Sequence, residues 1–312
     1  MARTAATLGL NEKVGGNKKQ WCYPFWKTLG CRLMMLEVKR GFDEDYYSQR
    51  EVLGEEGIHQ ILDAGRTWDV SETLRNGGSA IFPHACLSDC GDQIAAVVHG
   101  CLDSGADQVL VLGVVHNRWN EKLRDARFQE MRGEELTDET YWGVFPTFEG
   151  EYSLFHFNTL WEAEIKRRGI KAPKLIVRYP CIVNARPEKL LGIEELQRIA
   201  KDAVVVSTGD LVHNGVAYKT DPQFEIGPHS ESFTRDAIHE GFDLLENKQY
   251  RDYYHHCIRY RNEAKDTCSV IRHLLGPLKA HILDLRLVDT EELFVDNPSP
   301  SWVAASLVTL EP

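Results

Sequence analysis

Three short, uninterrupted apolar runs most constrain how this chain of 312 residues can fold. They lie at residues 79–83, 108–113 and 203–207, and each has the length of a β-strand. Between the first two, residues 92–102 carry apolar side chains at helical spacing and are followed by Gly105. Strands buried on both faces read as continuous hydrophobic runs, and a strand–helix–strand unit of this length suits a parallel crossover. The pattern therefore predicts a parallel sheet covered by helices.

The alternation of helices and strands continues toward the C-terminal end. Helical spacing recurs at 152–168, 193–201, 230–247 and 266–278, with strand-like runs at 174–178 and 302–310. We find no internal repeat and no convincing linker between domains. The sequence thus predicts one three-layer α/β/α domain around a mixed, largely parallel sheet at residues 76–312. Residues 1–75 would form an N-terminal extension, of which the polar residues 1–20 are expected to be flexible.

Composition excludes several classes of protein. The 36 Lys and Arg against 47 Asp and Glu give a net charge of −11, which disfavours a nucleic-acid partner. The sequence contains no uninterrupted apolar run of 18 residues, so it predicts no membrane span. Residues 1–20 lack the apolar core of a signal peptide. Eight cysteines without a C-x-x-C pair are too sparse for a disulfide scaffold. We expect a reduced, cytoplasmic protein, with assembly into a homo-oligomer left open.

A histidine follows each of the three central apolar runs. His84, His116 and His213 stand just after them, and Asp210 precedes the last of these histidines by three positions. In open α/β sheets, ligands bind beyond the carboxyl ends of the strands. A single histidine after a strand is more often structural than functional. For Asp210, the structural alternative is a cap of the turn after the strand. Three histidines at equivalent positions favour a shared site.

Several kinds of chemistry suit this set of side chains. Two histidines and a carboxylate with open positions form the facial set of ferrous oxygenases, and the same set can bind zinc and activate water. Without a metal, Asp210 and His213 can act as an orienting acid and a general base. No Gly-x-Ser-x-Gly elbow and no P-loop is present in the sequence, so serine hydrolases and phosphoryl transferases have no motif here.

Four segments, in order, resemble motifs of the Memo-like family, which shares its fold with the LigB-like class III extradiol dioxygenases. The segments are residues 81–91, 109–116, 205–215 and 301–310, and the resemblance covers roughly residues 79–310. It implies that His84 and His116 bind a metal, and that Asp210 and His213 form an acid–histidine pair near it. The third ligand is a carboxylate in the dioxygenases and a cysteine in typical Memo proteins. Alignment on the following leucines favours Asp266 here, with Glu263 and Cys268 as alternatives.

The chain also departs from the family pattern. Cys86 stands where the family has glycine, and Asn117 stands where it has a histidine. Tyr152 replaces a second family histidine. Phe155 replaces a family glutamate, and His156 follows it directly. His229 lies in a predicted loop that could overhang the site. Cys86, Asn117, His156 and His229 are therefore candidate pocket residues.

The resemblance implies a non-heme iron(II)-dependent oxygenase, a dioxygenase-type oxidoreductase. Its partners would be O2 and a small catechol-like or aminophenol-like substrate. One alternative is a metal-assisted hydrolase or lyase that uses zinc or iron. The other is a non-catalytic, Memo-like metal-binding or interaction protein.

Overall fold

The computed structural model describes residues 42–116, 125–126, 129, 142–181 and 185–312. Within these ranges, eight strands form one mixed sheet with helices packed on both of its faces. The predicted α/β class, with its largely parallel central strands, is therefore confirmed. The predicted flexible residues 1–20 and the candidate Asn117 lie outside the described residues.

The sheet places the ends of its central strands side by side. The strands are β1 (Ser79–Phe82), β2 (Gln108–Leu112), β3 (Gly143–Phe145), β4 (Lys174–Cys181), β5 (Val204–Thr208), β6 (His213–Gly215), β7 (Lys279–Asp289) and β8 (Ser301–Glu311). Their order is β3-β4-β2-β5-β1-β8-β6, and β7 also pairs with β8. Strands β4, β2, β5 and β1 run parallel, and β8 is antiparallel to β1. The carboxyl ends of β1, β2 and β5 therefore meet at one edge of the sheet.

Side chains that alternate along the central strands build two hydrophobic cores. The helices are α1 (Phe42–Gly65), α2 (Ser71–Arg75), α3 (Leu87–Asp103), α4 (Phe155–Arg168), α5 (Ile193–Ala200), α6 (Pro228–Glu246), α7 (Tyr250–Tyr260) and α8 (Lys265–Leu275). Phe82, Val111 and Val206 face the core that includes α1 to α4. Ile81 and Leu110 face the core that includes α5 to α8. Both faces of the sheet are thus buried, as the continuous apolar runs predict.

The central strands and most of the helices agree with the sequence patterns, whereas β3, β6 and β7 have no counterpart among the predicted strands. Apolar side chains at helical spacing predict a helix at residues 55–68. Helix α1 begins upstream of this pattern, at Phe42, and is interrupted at Gly54, where φ is 64°. Tyr46, Leu62 and Leu74 from α1 and α2 lie in the first core, beside residues of the predicted catalytic domain. Residues 42–75 therefore include two helices that contribute to the same core, and the domain boundary at residue 75 stays a prediction.

Two structural findings concern membrane-spanning helices and disulfide bonds. Among the described residues, none of the helices combines the length and apolar character needed to cross a bilayer. The six cysteines in the described ranges are buried and lie outside any disulfide.

Candidate metal centre

Histidines from two strand ends meet at the carboxyl edge of the sheet. His84 follows β1 after a single proline, and His116 lies four residues after β2. The intervening Gly113 lets the chain pass the ring of Tyr179, since a Cβ there would lie 2.2 Å from its Cε1. The Nε2 atoms of His84 and His116 are 3.2 Å apart. The two imidazoles thus point toward the same small volume.

Glu263, between α7 and α8, supplies the carboxylate at this point. Its Oε2 lies 2.9 Å from His84 Nε2 and 3.6 Å from His116 Nε2. Its Oε1 lies 3.0 Å from Nε2 of His213, the first residue of β6. The three histidines and the Glu263 side chain are all nearly inaccessible, with Glu263 only 2% exposed. One buried carboxylate therefore joins all three predicted histidines.

A close backbone approach holds Glu263 in position. A Cβ on Gly209 would lie 2.4 Å from Ala264 Cβ and 3.0 Å from Ala264 Cα, so only glycine lets these two segments touch. The backbone N–H of Glu263 donates to the carbonyl of Asp210 at 3.1 Å. The loop after β5 thus fixes the residue that follows α7.

Each of the three histidines has its Nδ1 next to an acceptor. His213 Nδ1 lies 2.8 Å from the carbonyl of Arg261, and His116 Nδ1 lies 2.8 Å from Oε1 of Glu151. His84 Nδ1 lies 3.1 Å from Thr208 Oγ1, whose own hydrogen is donated to the Phe82 carbonyl. Because all three partners accept, each Nδ1 carries the hydrogen. In the neutral ring, the lone pair is then on Nε2, directed at the centre.

The Glu263 oxygen and the two histidine Nε2 atoms bring negative charge and lone pairs together, and a bound cation would compensate them. Among the described residues, Oε2 of Glu263 is buried and has no assigned hydrogen-bond partner, although it lies 2.9 Å from His84 Nε2. Two neutral Nε2 atoms 3.2 Å apart repel each other unless a proton or a metal ion lies between them. His84, His116 and Glu263 have ligand atoms within 4.8 Å of one another, as do Asp210, His213 and Glu263. The nitrogen and oxygen donors present fit a divalent transition metal.

The pKa shifts follow from the same contacts. Burial alone would lower the pKa of His116, but the carboxylates of Glu151 and Glu263 raise it to about 9. Burial likewise opposes a charge on His84, while Asp210 and Glu263 raise its pKa. Burial would raise the pKa of Glu263, yet His213 and His84 hold it well below its usual range. Without a metal, the raised pKa values of His84 and His116 favour protons that offset the charge of the Glu263 carboxylate.

Asp210 lies beside the centre, and its pKa shifts in the opposite direction from that of Glu263. Its Oδ1 accepts the backbone N–H of His84 at 3.3 Å, and burial raises the pKa of its carboxyl, as does the nearby Glu263. The favourable charge of His84 opposes that rise. Asp210 is therefore a buried acid that orients the His84 backbone and lies close to His213.

The preferred third ligand, Asp266, is not in the group formed around the two histidines. Asp266 lies on the first turn of α8, where its Oδ1 accepts a hydrogen bond from Lys265 Nζ at 2.9 Å. Cys268 packs in the second core, and burial raises the pKa of its thiol to about 12. The alternative Glu263 is grouped with the two histidines instead, and it lies in the loop before α8 that touches Gly209.

The remaining pocket candidates differ in burial. His156 is buried with its ring 4.0 Å from that of Tyr46, and burial together with His84 lowers its pKa to about 3. Cys86 is buried at the start of α3, two positions after His84. His229 is exposed in the first turn of α6, where its ring contacts Phe224 at 4.7 Å. Of these candidates, His156 lies close enough to His84 for the two rings to interact electrostatically, while His229 is a surface residue.

Sequence reasoning missed two residues that hold the histidines. Glu151 and Thr208 accept from the ring nitrogens of His116 and His84, respectively. Thr208 lies within the segment 205–215 and Glu151 lies outside the four segments, and the sequence does not show which ring either residue meets. A carboxylate just before a helix that resembles a family motif was the one available signal for Glu151.

Searches with known proteins add no family assignment: no protein-family model matches the chain, and no curated protein does.

Proposed function

We propose that this protein is a non-heme iron(II)-dependent oxygenase that acts on a small catechol-like or aminophenol-like substrate. One observation carries the proposal: the Nε2 atoms of His84 and His116 converge on a buried Glu263 oxygen that has no hydrogen bond among the described residues. Two histidines and one carboxylate are the donor set of ferrous oxygenases. The sequence resemblance to class III extradiol dioxygenases supports the same reaction class.

The ligand residues would be His84, His116 and Glu263. When bound, ferrous iron would supply the redox chemistry with O2 that amino-acid side chains lack. Thr208 and Glu151 orient the two imidazoles, so that each presents its Nε2 lone pair without a change of rotamer. The Gly209–Ala264 contact fixes the carboxylate in the same way.

His213 is the residue we assign to proton transfer. Its Nδ1–H is held by the carbonyl of Arg261, so any proton it exchanges is on Nε2, which faces Glu263 at 3.0 Å. A substrate hydroxyl bound beside the ligands could pass its proton to this nitrogen and later recover it. Asp210 lies beside this histidine, with its carboxylate within 4.8 Å of a His213 ring nitrogen.

Burial gives these charges their strength. His84, His213 and Asp210 are each no more than 3% exposed, so their interactions act in a medium of low dielectric constant. The buried setting limits the access of water to the reacting groups. The proposal keeps the cytoplasmic location expected from the cysteine usage.

The test is oxygen consumption by protein prepared without oxygen. Purified protein is stripped with a chelator, loaded with Fe(II) or Zn(II), and given a panel of catechols and aminophenols in an oxygen electrode. We expect substrate-dependent O2 uptake with Fe(II) and none with Zn(II). Turnover that does not consume O2, in either metal form, would contradict the oxygenase and support a hydrolase or lyase.

A further inference from the structure

We propose that Glu151 is the positioning residue that sets the metal affinity of this centre. It fixes the ring of His116 through Nδ1, the ring nitrogen that does not face the metal site. The inference rests on the proposed metal site and extends it to a residue that no ligand motif identifies. Glu151 lies just before α4 and contacts His116, which follows the carboxyl end of β2.

The Glu151 carboxylate is fully engaged in holding one strand end. Its Oε1 accepts from His116 Nδ1 at 2.8 Å and from the backbone N–H groups of Tyr152 and Ser153 at 2.8 and 2.7 Å. Its Oε2 accepts the backbone N–H of His116 at 2.6 Å. One side chain therefore holds both the backbone and the ring of His116.

Tyr152 holds the same ring through its face. Its ring is stacked on His116 with centroids 4.4 Å apart and planes 11° from parallel. Tyr152 is in turn held by α1, because the Tyr46 hydroxyl donates to its carbonyl at 3.3 Å. The imidazole of His116 is thus fixed in two directions, by a hydrogen bond in its plane and by a stack across it.

This support matters because metal binding tolerates little error. Ligand distances must agree with ideal values to about 0.2 Å, and loss of a hydrogen-bond partner behind a metal-bound histidine commonly costs about 10–100-fold in affinity. A carboxylate at Nδ1 also increases electron density at Nε2, which strengthens that nitrogen as a ligand.

Glu151→Gln weakens this support with minimal change of shape. An amide has one accepting oxygen, so its NH2 group must face either the His116 backbone N–H or the three donors now at Oε1. Either orientation sets donors against each other. Glu151→Asp keeps the charge but is shorter by one methylene group, so it can cap the turn without reaching the His116 ring.

The experiment is a Co(II) titration of chelator-stripped, full-length protein, followed by visible absorption and by competition with a chromogenic chelator. We expect both Glu151 variants to bind Co(II) about 10–100-fold more weakly, with altered ligand-field bands. Glu162→Gln changes an exposed glutamate of α4 and should bind as the unsubstituted protein does. Ser153→Ala removes a hydrogen bond to the Val114 carbonyl, so it perturbs the same turn without touching His116.

The outcomes separate this inference from the proposed function. Unchanged affinity and spectrum in either folded Glu151 variant, with the unsubstituted protein loaded, would overturn the role of Glu151 alone. An equal loss of affinity in Ser153→Ala would overturn it too, since general damage to the turn would then explain the result. Failure of the unsubstituted protein to bind any metal would overturn both proposals.

Discussion

Replacement of Gly209 by alanine tests how the fold holds its carboxylate. The new Cβ would lie 2.4 Å from Ala264 Cβ, whereas nonbonded carbon atoms require about 3.5–4.0 Å. The two segments must therefore separate by about 1 Å or more. The other close atoms, Ala264 Cα at 3.0 Å and Ala264 N at 3.2 Å, belong to the backbone, so a side-chain rotation cannot relieve the clash.

The displacement acts on the ligand directly next in the chain. A shift of about 1 Å in Glu263 is roughly five times the distance error that a metal site tolerates. We expect Gly209→Ala to lose at least about 10-fold in metal affinity and about 1–3 kcal/mol of unfolding free energy, the usual cost of overpacking. Titration with Co(II) and urea denaturation of the metal-free protein measure the two effects.

Gly227→Ala provides the matched control. An added Cβ at Gly227 has no atom within 4 Å among the described residues, and the extended backbone there suits any residue. This variant should match the unsubstituted protein in both assays. If Gly209→Ala also binds Co(II) with full affinity, the Gly209–Ala264 contact does not position Glu263 and the reasoning is refuted.

Three further predictions follow from the same geometry. Glu263→Gln should weaken metal binding by more than about 100-fold, because a ligand matters more than its support, while Asp266→Asn should leave metal content unchanged; the reverse result, read by metal analysis, would restore Asp266 as the ligand. The pKa of His116 is raised to about 9, so a proton occupies its metal-binding side below that pH. Metal affinity should therefore fall as the pH is lowered from 9 to 7, by about tenfold or more per unit, and a flat profile in competition titrations would contradict this. His213→Ala should keep its metal and lose substrate-dependent O2 uptake; full turnover in this variant would remove His213 from proton transfer.

The fold could be predicted where the signal is local. Residues of β1, β2 and β5 are buried on both faces, so their apolar character is continuous and visible in the sequence. Strand β7 was missed although Leu285 and Leu287 alternate with charged residues, because its partial exposure weakens the apolar signal. The upstream start of α1 was missed as well, since its break at Gly54 divides the helical pattern.

The site could be predicted only in part for a similar reason. His84, His116 and His213 follow strands, and the topology of a parallel sheet brings such positions together. The third ligand depends on how the loop before α8 meets Gly209, a contact between distant segments that spacing does not encode. Glu151 and Thr208 depend on ring orientation, which is determined only once the strands are paired.

The metal content of protein purified without oxygen tests the central claim most directly. Elemental analysis should find about one equivalent of metal in the unsubstituted protein, and almost none in His84→Ala or His116→Ala, while circular dichroism shows both variants folded. Full metal retention in both folded variants would contradict the proposed centre.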